Sequence, residues 1–329
     1  MEKKYELTNE TFNYGGHILH RIKAVRDFNC IKVGELGGWV ESEDNLSHEG
    51  NCWVYDDAKV YDKAVVKDNA KVCGSAIVCG NARVCDHAKI YDDAIVFSDA
   101  KIYDKAKVCG NARVCDHAKI YDRAIVCDYA RVYGYAKVYG GAWVYGGAMV
   151  HGDARIDEGA KVCGNARVCD HAQVTYLAKV YSDALVCGDA LVSGETEVYG
   201  DAKVCDHARV CGIAKVYENA QVCHNARVDG YAEVCGDALV YDEAKIYGRT
   251  RVDGHAVICG YAIIKETKDY KVFKNTWSSG RYFTWTRSNN LWKVGCFHGT
   301  GEQLVKKAYE DSELSGKCYE AIVQTVESH

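Results

Sequence analysis

Residues 78–95 read VCGNARVCDHAKIYDDAI, three copies of a six-residue unit in which an aliphatic residue is followed four positions later by alanine. The unit continues in one phase from Val54 to Ile264, where all 36 positions spaced by six hold Val or Ile and 33 of the 35 alanine positions hold Ala. A period of six matches neither the 3.6-residue turn of a helix nor a series of independent hairpins. The chain is therefore expected to change direction every six residues.

The alternation within the unit predicts which side chains are buried. In extended backbone Ala82 and Val84 point to one side, and Arg83 points to the other. The residues that follow, such as Gly110 and Asn111, are of the kinds that tolerate tight corners and positive φ. A chain that turns the same way at every corner stacks Val on Val and Ala on Ala in a solenoid. Proline is absent from all 329 residues, which suits a ladder that needs nearly every backbone N–H.

This pattern resembles the hexapeptide repeat of the left-handed β-helix proteins, a superfamily that contains many acyltransferases. The resemblance implies three hexads per 18-residue triangular coil and a left-handed path, so that 36 hexads would make about 12 coils. The predicted fold class is thus an all-β solenoid, a left-handed parallel β-helix of about 12 triangular coils over residues 48–265. Residues 1–47 are expected to form an N-terminal β cap, and residues 266–329 a small α+β domain of three strands and two helices.

The two ends carry further signals. Residues 18–24 read as a strand after a Gly-Gly turn, residues 270–273, 282–287 and 291–297 read as strands, and helices are predicted from a capping box at Thr300 and Gln303 to residue 309 and over residues 316–326. The segments RIKAVRDF (21–28), GGWV (37–40) and WKVGCFHGTG (292–301) look similar to uncharacterised hexapeptide-repeat proteins of bacteriophages and prophages. That resemblance implies a viral or mobile-element origin and assigns no activity.

Cysteine usage indicates a reducing compartment. Of 18 cysteines, 14 occupy the slot directly after the aliphatic residue, which Tyr fills in 13 other copies, so they read as structural fillers. A secreted protein would oxidise such a ladder, which favours the cytoplasm of a bacterial host. Zinc needs ligands that converge, whereas these thiols lie along a line, so we expect no metal site and no cofactor. The net charge of −5 and the lack of a long apolar run exclude a membrane partner and leave nucleic acid open.

The histidines do not indicate catalysis. His87, His117, His171 and His207 share a CDHA phrase at a corner, and the segment at 78–92 recurs after 30 residues. That displacement is five hexads, so His87 and His117 would lie on different edges of a three-sided coil. We therefore expect solvated corner residues and no catalytic group, with His151, His224 and His255 outside the phrase as the remaining candidates. No insertion forms a lid over the repeat, and no phosphate-binding glycine motif occurs, so an enzyme is not favoured.

Residues that are 18 positions apart should lie above one another in successive coils. When the outward-facing strand residues are grouped at this spacing, they form rows of like side chains. One predicted binding row is basic and contains Arg83, Lys101, Lys119, Lys137, Arg155, Arg209, Arg227 and Lys245. Another is partly apolar and is the predicted oligomer face, with Ile77, Ile95, Met149, Leu185, Leu239 and Val257. Trimers are common among the proteins that this chain resembles, so a homotrimer or another homo-oligomer is expected. Acidic residues sit mainly at the corners, where they could simply offset the basic rows and keep the faces soluble.

The C-terminal domain combines aromatic and basic residues that suit binding as well as core packing. The predicted binding residues there are Trp277, Arg281, Trp285, Arg287, Trp292 and Lys293. The sequence favours a non-enzymatic, phage- or prophage-encoded binding protein whose β-helix platform and C-terminal domain engage a host protein, an anionic ligand or a signalling molecule, such as a component of antiviral defence. Two alternatives stay open: an acyl- or nucleotidyltransferase acting at an inter-subunit groove, and a structural rod that forms polymers.

Overall fold

The computed structural model describes residues 2–328, and the chain divides into two compact units, residues 1–177 (unit 1) and residues 178–329 (unit 2). Unit 1 opens with three longer strands, β1 (Tyr5–Tyr14), β2 (His17–Ala24) and β3 (Leu36–Val40). β1 pairs antiparallel with β2, and β2 pairs antiparallel with β3. β2 confirms the strand predicted after the Gly-Gly turn. Both glycines of that turn, Gly15 and Gly16, have positive φ.

The rest of unit 1 is a β-solenoid of two-residue strands. Each strand places one side chain outward and one Val or Ile inward. The strands β4 to β24 are, in order, Trp53–Val54, Lys59–Val60, Val65–Val66, Lys71–Val72, Ile77–Val78, Arg83–Val84, Lys89–Ile90, Ile95–Val96, Lys101–Ile102, Lys107–Val108, Arg113–Val114, Lys119–Ile120, Ile125–Val126, Arg131–Val132, Lys137–Val138, Trp143–Val144, Met149–Val150, Arg155–Ile156, Lys161–Val162, Arg167–Val168 and Gln173–Val174.

Successive strands belong to three different parallel sheets, so every third strand pairs. Within unit 1 the sheet orders are β3-β5-β8-β11-β14-β17-β20-β23, β4-β7-β10-β13-β16-β19-β22 and β6-β9-β12-β15-β18-β21-β24. Lys101 pairs with Lys119, and their backbones are joined by Lys101 N donating to Ala118 O at 2.9 Å. The three-hexad coil of 18 residues is therefore confirmed.

The core of each coil is made by the repeat's small and branched residues. Ala118 and Ile120 are fully buried, as are their equivalents throughout the repeat of unit 1. Each of these side chains packs on the residue 18 positions later, which has a similar shape, so close packing continues from coil to coil. β3 pairs with β5, and Leu46 forms a bridge to Val66, which adds an opening coil ahead of the 12 predicted.

Side chains at and just before the start of β1 satisfy carbonyl groups that the opening coils leave without a strand partner. The ammonium group of Lys4, which is fully buried, donates to the carbonyl oxygen of Cys52 at 2.8 Å. The hydroxyl group of Tyr5 donates to the carbonyl oxygen of Leu46 at 2.7 Å. Burial lowers the pKa of Lys4. A solenoid exposes strand edges at its ends, and here the edge is closed by side-chain donors.

Unit 2 repeats the architecture with fifteen two-residue strands. β25 to β39 are Lys179–Val180, Leu185–Val186, Leu191–Val192, Glu197–Val198, Lys203–Val204, Arg209–Val210, Lys215–Val216, Gln221–Val222, Arg227–Val228, Glu233–Val234, Leu239–Val240, Lys245–Ile246, Arg251–Val252, Val257–Ile258 and Ile263–Ile264. Within this unit they form the parallel sheets β26-β29-β32-β35-β38, β25-β28-β31-β34-β37 and β27-β30-β33-β36-β39.

A small α+β domain completes unit 2. Its antiparallel sheet has the order β40 (Tyr270–Lys274), β41 (Tyr282–Thr286), β42 (Leu291–Val294) and β43 (Phe297–Gly299), followed by α1 (Gly301–Asp311) and α2 (Glu313–Glu327). The sheet has four strands where three were predicted, because residues 291–297 turn at Gly295, whose φ is +55°. The predicted capping box is confirmed by reciprocal hydrogen bonds between Thr300 and Gln303.

This domain closes the last coil with hydroxyl groups. The hydroxyl oxygen of Thr284 accepts from the backbone N–H of Val257 at 3.0 Å, and that of Ser288 accepts from Ile263 at 2.7 Å. In the other direction the hydroxyl group of Tyr270 donates to the carbonyl oxygen of Arg251 at 3.0 Å. Among residues 2–328, neither helix is long and apolar enough to cross a bilayer.

Candidate anion-binding grooves

The basic row predicted from the sequence lies on one sheet in unit 1. Arg83 pairs with Lys101, Lys101 with Lys119, Lys119 with Lys137, and Lys137 with Arg155. In-register parallel pairing sets neighbouring side chains about 4.8 Å apart. The side chains are exposed or half-buried, and they form a line of five positive charges.

A groove follows the first part of this row. It is an open cavity of about 470 Å³, and its floor carries the first three cations, Arg83, Lys101 and Lys119. One wall is a column of corner residues, namely Asn81, Asp99, His117 and Tyr135, of which sequence reasoning had singled out only His117. These corner residues are spaced by 18, so grouping the corner residues at that spacing, as was done for the strand residues, would have found this column.

The corner wall carries one pair of stacked rings and one carboxylate. The rings of His117 and Tyr135 stack at 4.7 Å with an interplanar angle of 17°. The Nδ1 atom of His117 lies 3.9 Å from a carboxylate oxygen of Asp99. The groove therefore offers three cations against one carboxylate, together with flat aromatic surface.

A ladder of tyrosines flanks the same row on its other side. Tyr103 and Tyr121 stack at 4.9 Å, and Tyr121 and Tyr139 stack at 4.8 Å, with rings nearly parallel. Burial raises the pKa of Tyr103 to about 12. The phenol groups are thus neutral at physiological pH and add no negative charge to the row.

Corner carboxylates in unit 1 are used mainly by the backbone. A carboxylate oxygen of Asp92 accepts from the backbone N–H of Gly110, one coil later, at 3.0 Å, and Asp116 does the same for Gly134 at 3.0 Å. The same bond recurs at seven further corners of unit 1, from Asp56, Asp62, Asp68, Asp86, Asp104, Asp122 and Asp128. These residues have positive φ, which Asp tolerates better than most residues.

The row itself has no close counter-ion. Among the ion pairs of residues 2–328, none joins a carboxylate to any of its five cations within 4.0 Å. The oxygens of Asp86 and Asp104 accept from backbone N–H groups one coil later. The acidic corners therefore form no contact ion pair with this row among the described residues, and any offset of its charge by them acts over a longer distance.

Unit 2 has a comparable groove with a weaker positive field. Arg209, Arg227 and Lys245 line an open cavity of about 540 Å³ with His207, Asn225 and Glu243. Here Arg227 donates to Asp229 at 2.6 Å, and this hydrogen bond raises its pKa. One of its three cations is thus paired, whereas the unit 1 row has none paired in the described chain.

The corner histidines lie as the repeat arithmetic predicted. His87 precedes a strand of the β4-to-β22 sheet and His117 a strand of the β6-to-β24 sheet, so they occupy different edges. His207 faces an aspartate one coil earlier, with Nδ1 3.5 Å from Asp189. His255 lies 3.4 Å from Asp237, and its ring contacts Tyr282 at 4.1 Å.

The predicted oligomer face is broken into short apolar pairs. In unit 1 Ile77 pairs with Ile95, but Ile95 pairs next with Arg113, and Met149 is flanked by arginines on both sides. In unit 2 Leu239 pairs with Val257, whose backbone is bound by the C-terminal domain, while Leu185 pairs with Lys203. All six residues are half-buried.

The C-terminal residues predicted to bind are divided between core and surface. Trp285 and Trp292 are buried in the domain core, and Trp292 donates to Glu327 at 2.8 Å. Trp277 is 75% exposed. Arg287 lies over the Trp285 ring at 5.9 Å. Arg281 is exposed and Lys293 is half-buried, so the domain presents one open ring with dispersed cations.

Comparison with known proteins gives a partial similarity. No protein-family model matches the chain. An alignment 62 positions long, which covers 16% of the chain, is 40% identical to a protein of Escherichia coli (strain K12) described as the uncharacterized acetyltransferase YdcK. The match spans 19% of the length of that protein.

Proposed function

We propose that the protein is a non-enzymatic binding platform whose unit 1 row, Arg83 to Arg155, holds an elongated polyanion. The observation that supports this most is the set of five in-register cations that have no carboxylate within 4.0 Å in the described chain. Two unit charges about 5 Å apart repel by roughly 0.8 kcal/mol in water, and less in salt. The row is therefore stable without a ligand and still gains from binding one.

Two features beside the row favour a ligand that runs along it. The groove is open along the row, and its wall carries the stacked rings of His117 and Tyr135, which flat groups of a ligand could contact. The resemblance of the segments at 21–28, 37–40 and 292–301 to phage and prophage proteins is the reason for proposing a molecule of the bacterial host as the ligand. A counter-defence role belongs to the same proposal and rests on that resemblance alone.

The test is the salt dependence of binding to a fluorescently labelled single-stranded oligonucleotide, used as a linear polyanion probe. Contact with all five cations predicts a slope of log affinity against log salt of about −3.5, since each single-strand contact adds about −0.7. Reversing Lys101 and Lys119 to Glu removes two contacts, so the slope should become about −2 and the affinity should fall.

The matched control reverses two exposed basic corner residues of the same unit, Lys105 and Arg123, to Glu. It changes the net charge equally but leaves the row intact, so its slope should stay near that of the unmodified protein. Equal effects of the two double variants would show that only overall charge matters and would overturn the proposal. An absence of measurable binding at low salt would do the same.

A second candidate function, acyl transfer, is favoured by the partial similarity to a protein described as an acetyltransferase. We infer that such chemistry would involve His255, since its Nδ1 lies near Asp237 and its ring lies at the junction with the C-terminal domain. Chromatographic detection of free coenzyme A after incubation with acetyl-coenzyme A and host lysate tests it. Release that disappears in His255→Asn would support transfer, whereas no release above a protein-free control would exclude this donor.

A further inference from the structure

Two thiols and a carboxylate converge on one corner of unit 2. The sulfur atoms of Cys205 and Cys223 and a carboxylate oxygen of Asp206 all lie within 4.8 Å of one another. Cys205 and Cys223 follow paired strands, β29 and β32, so they occupy the same position in consecutive coils. Asp206 is the corner residue after the first thiol and has a φ of +58°, which turns its side chain toward the second coil.

We propose that Cys205, Asp206 and Cys223 form a Zn²⁺ site whose fourth position is open to water. Zinc binds thiolate sulfur at about 2.3 Å and carboxylate oxygen at about 2.0–2.2 Å in tetrahedral geometry. Those bond lengths require ligand atoms about 3.5–3.8 Å apart. The observed separations, at most 4.8 Å, exceed these values by about 1 Å or less.

The donor set indicates zinc over other ions. Two thiolates favour a soft or borderline ion and disfavour Mg²⁺ and Ca²⁺, which take oxygen ligands. The carboxylate is a harder donor that zinc accepts readily and that copper(I) does not prefer. Three protein ligands with an open position are typical of reactive zinc sites rather than closed structural ones.

Zinc is bound by the thiolate form of cysteine and not by the neutral thiol. Zinc binding would displace the protons of both thiols into solvent, so the affinity should fall as pH is lowered.

The carboxylate is already oriented by its neighbours. A carboxylate oxygen of Asp206 accepts from the backbone N–H of His224 at 3.0 Å. The Nε2 atom of His224 lies 4.0 Å from the same oxygen, while its Nδ1 lies 3.2 Å from Asp242. Partners of this kind commonly fix the orientation of a metal-binding carboxylate.

Stacked thiols alone do not produce such a cluster. In unit 1 Cys109 and Cys127 occupy consecutive coils, and a hydrogen bond joins their thiol groups. The residue after Cys109 is Gly110, which has no side chain to supply the third ligand. The sequence argument against a metal site considered only the cysteines, which lie in a line along the solenoid. Here the aspartate at the corner lies beside that line and supplies a third ligand.

The test is zinc binding by the full chain in the presence of a non-thiol reductant and a chromophoric zinc chelator. The site variants are Cys205→Ser, Cys223→Ser and Asp206→Asn. The matched control is Cys211→Ser, a half-buried thiol of the same unit whose neighbours in the adjacent coils are Ser193 and Asp229. Circular dichroism and the thermal midpoint establish that each variant is folded.

We expect each site variant to retain one zinc equivalent fewer than the unmodified protein, and Cys211→Ser to retain the same number. Cobalt(II) substituted for zinc should show a sulfur-to-metal charge-transfer band that weakens in all three site variants and is unchanged in Cys211→Ser. Equal zinc content in all variants would overturn the proposal, as would unchanged binding in Asp206→Asn. A disulfide between Cys205 and Cys223 in place of zinc, detected by non-reducing peptide mapping, would also overturn it.

Discussion

An aspartate at a solenoid corner can be favoured for two reasons, the hydrogen bond that its carboxylate accepts and its tolerance of positive φ. Substitutions of Asp92 separate the two. Its carboxylate accepts from the N–H of Gly110 at 3.0 Å, and its φ is +59°. Asp92→Asn keeps an oxygen acceptor and a residue that tolerates this φ, so it should cost little. Asp92→Gly loses the acceptor at a residue type that adopts this φ freely, whereas Asp92→Ala loses the acceptor and holds a residue that tolerates the left-handed region less well than Asp does.

The magnitudes follow from these contacts. Loss of the hydrogen bond should cost about 1 kcal/mol, and the left-handed conformation of alanine should add roughly 1 kcal/mol. Since about 1.4 kcal/mol corresponds to a factor of ten, the Gly110 amide should exchange about 5-fold faster in Asp92→Gly and roughly 30-fold faster in Asp92→Ala. Repeat arrays open locally, so exchange at this amide reports the effect better than global unfolding does.

The measurement is amide hydrogen exchange at Gly110, resolved by NMR or by peptide mass spectrometry. Asp93→Ala is the control, because Asp93 is the neighbouring corner residue and lies outside the left-handed region. Equal exchange in the glycine and alanine variants would refute the contribution of φ. Equal exchange in the asparagine and alanine variants would refute the whole account of the corner.

Three further predictions concern stability. Gly194→Ala should lower the thermal midpoint more than Gly254→Ala, because both residues have positive φ but a Cβ at Gly194 would lie 2.4 Å from a carbonyl oxygen of the next coil, whereas one at Gly254 meets no atom within 4 Å. Thr284→Val should speed exchange in the last coil, since it leaves a buried amide without an acceptor at a cost of about 1–3 kcal/mol, and Thr284→Ser should restore protection. The pKa of Cys127 and that of Tyr103 are both raised to about 12, chiefly by burial. Their contribution to stability is complete below the unfolded pKa values and is lost as pH rises toward 12, so urea midpoints should be level to about pH 8 and fall above it.

The hexad made the solenoid predictable because one geometric rule determines the environment of every strand residue. Ala118 and Ile120 are buried because of their position in the unit, and no long-range information is needed to place them. The opening coil was only partly anticipated, as degenerate hexads after residues 36–40, because its positions are irregular; its place in the solenoid is recognised through the pairing of β3 with β5. The extra C-terminal strand depended on one backbone angle at Gly295, which composition does not reveal.

The candidate sites were predictable only in part. The basic row followed from grouping the strand residues that are 18 positions apart. The wall from Asn81 to Tyr135 would have needed the same grouping of the corner residues. The role of the corner aspartates depends on the direction in which the next coil's N–H points, as at Gly110. Hydrophobic and charge patterns carry no such directional information, so the convergence of Asp206 with two thiols could not be read from the sequence either.

The even spacing of the unit 1 row also makes it a one-dimensional lattice. An anion that bridges three adjacent cations can occupy three equivalent registers on a row of five, each related to the next by one coil. This degeneracy favours binding by RT ln 3, about 0.6 kcal/mol, without any additional contact. A ligand long enough to cover all five cations loses that term, so affinity would grow less than proportionally with ligand length. Shorter ligands would shift between registers one coil at a time.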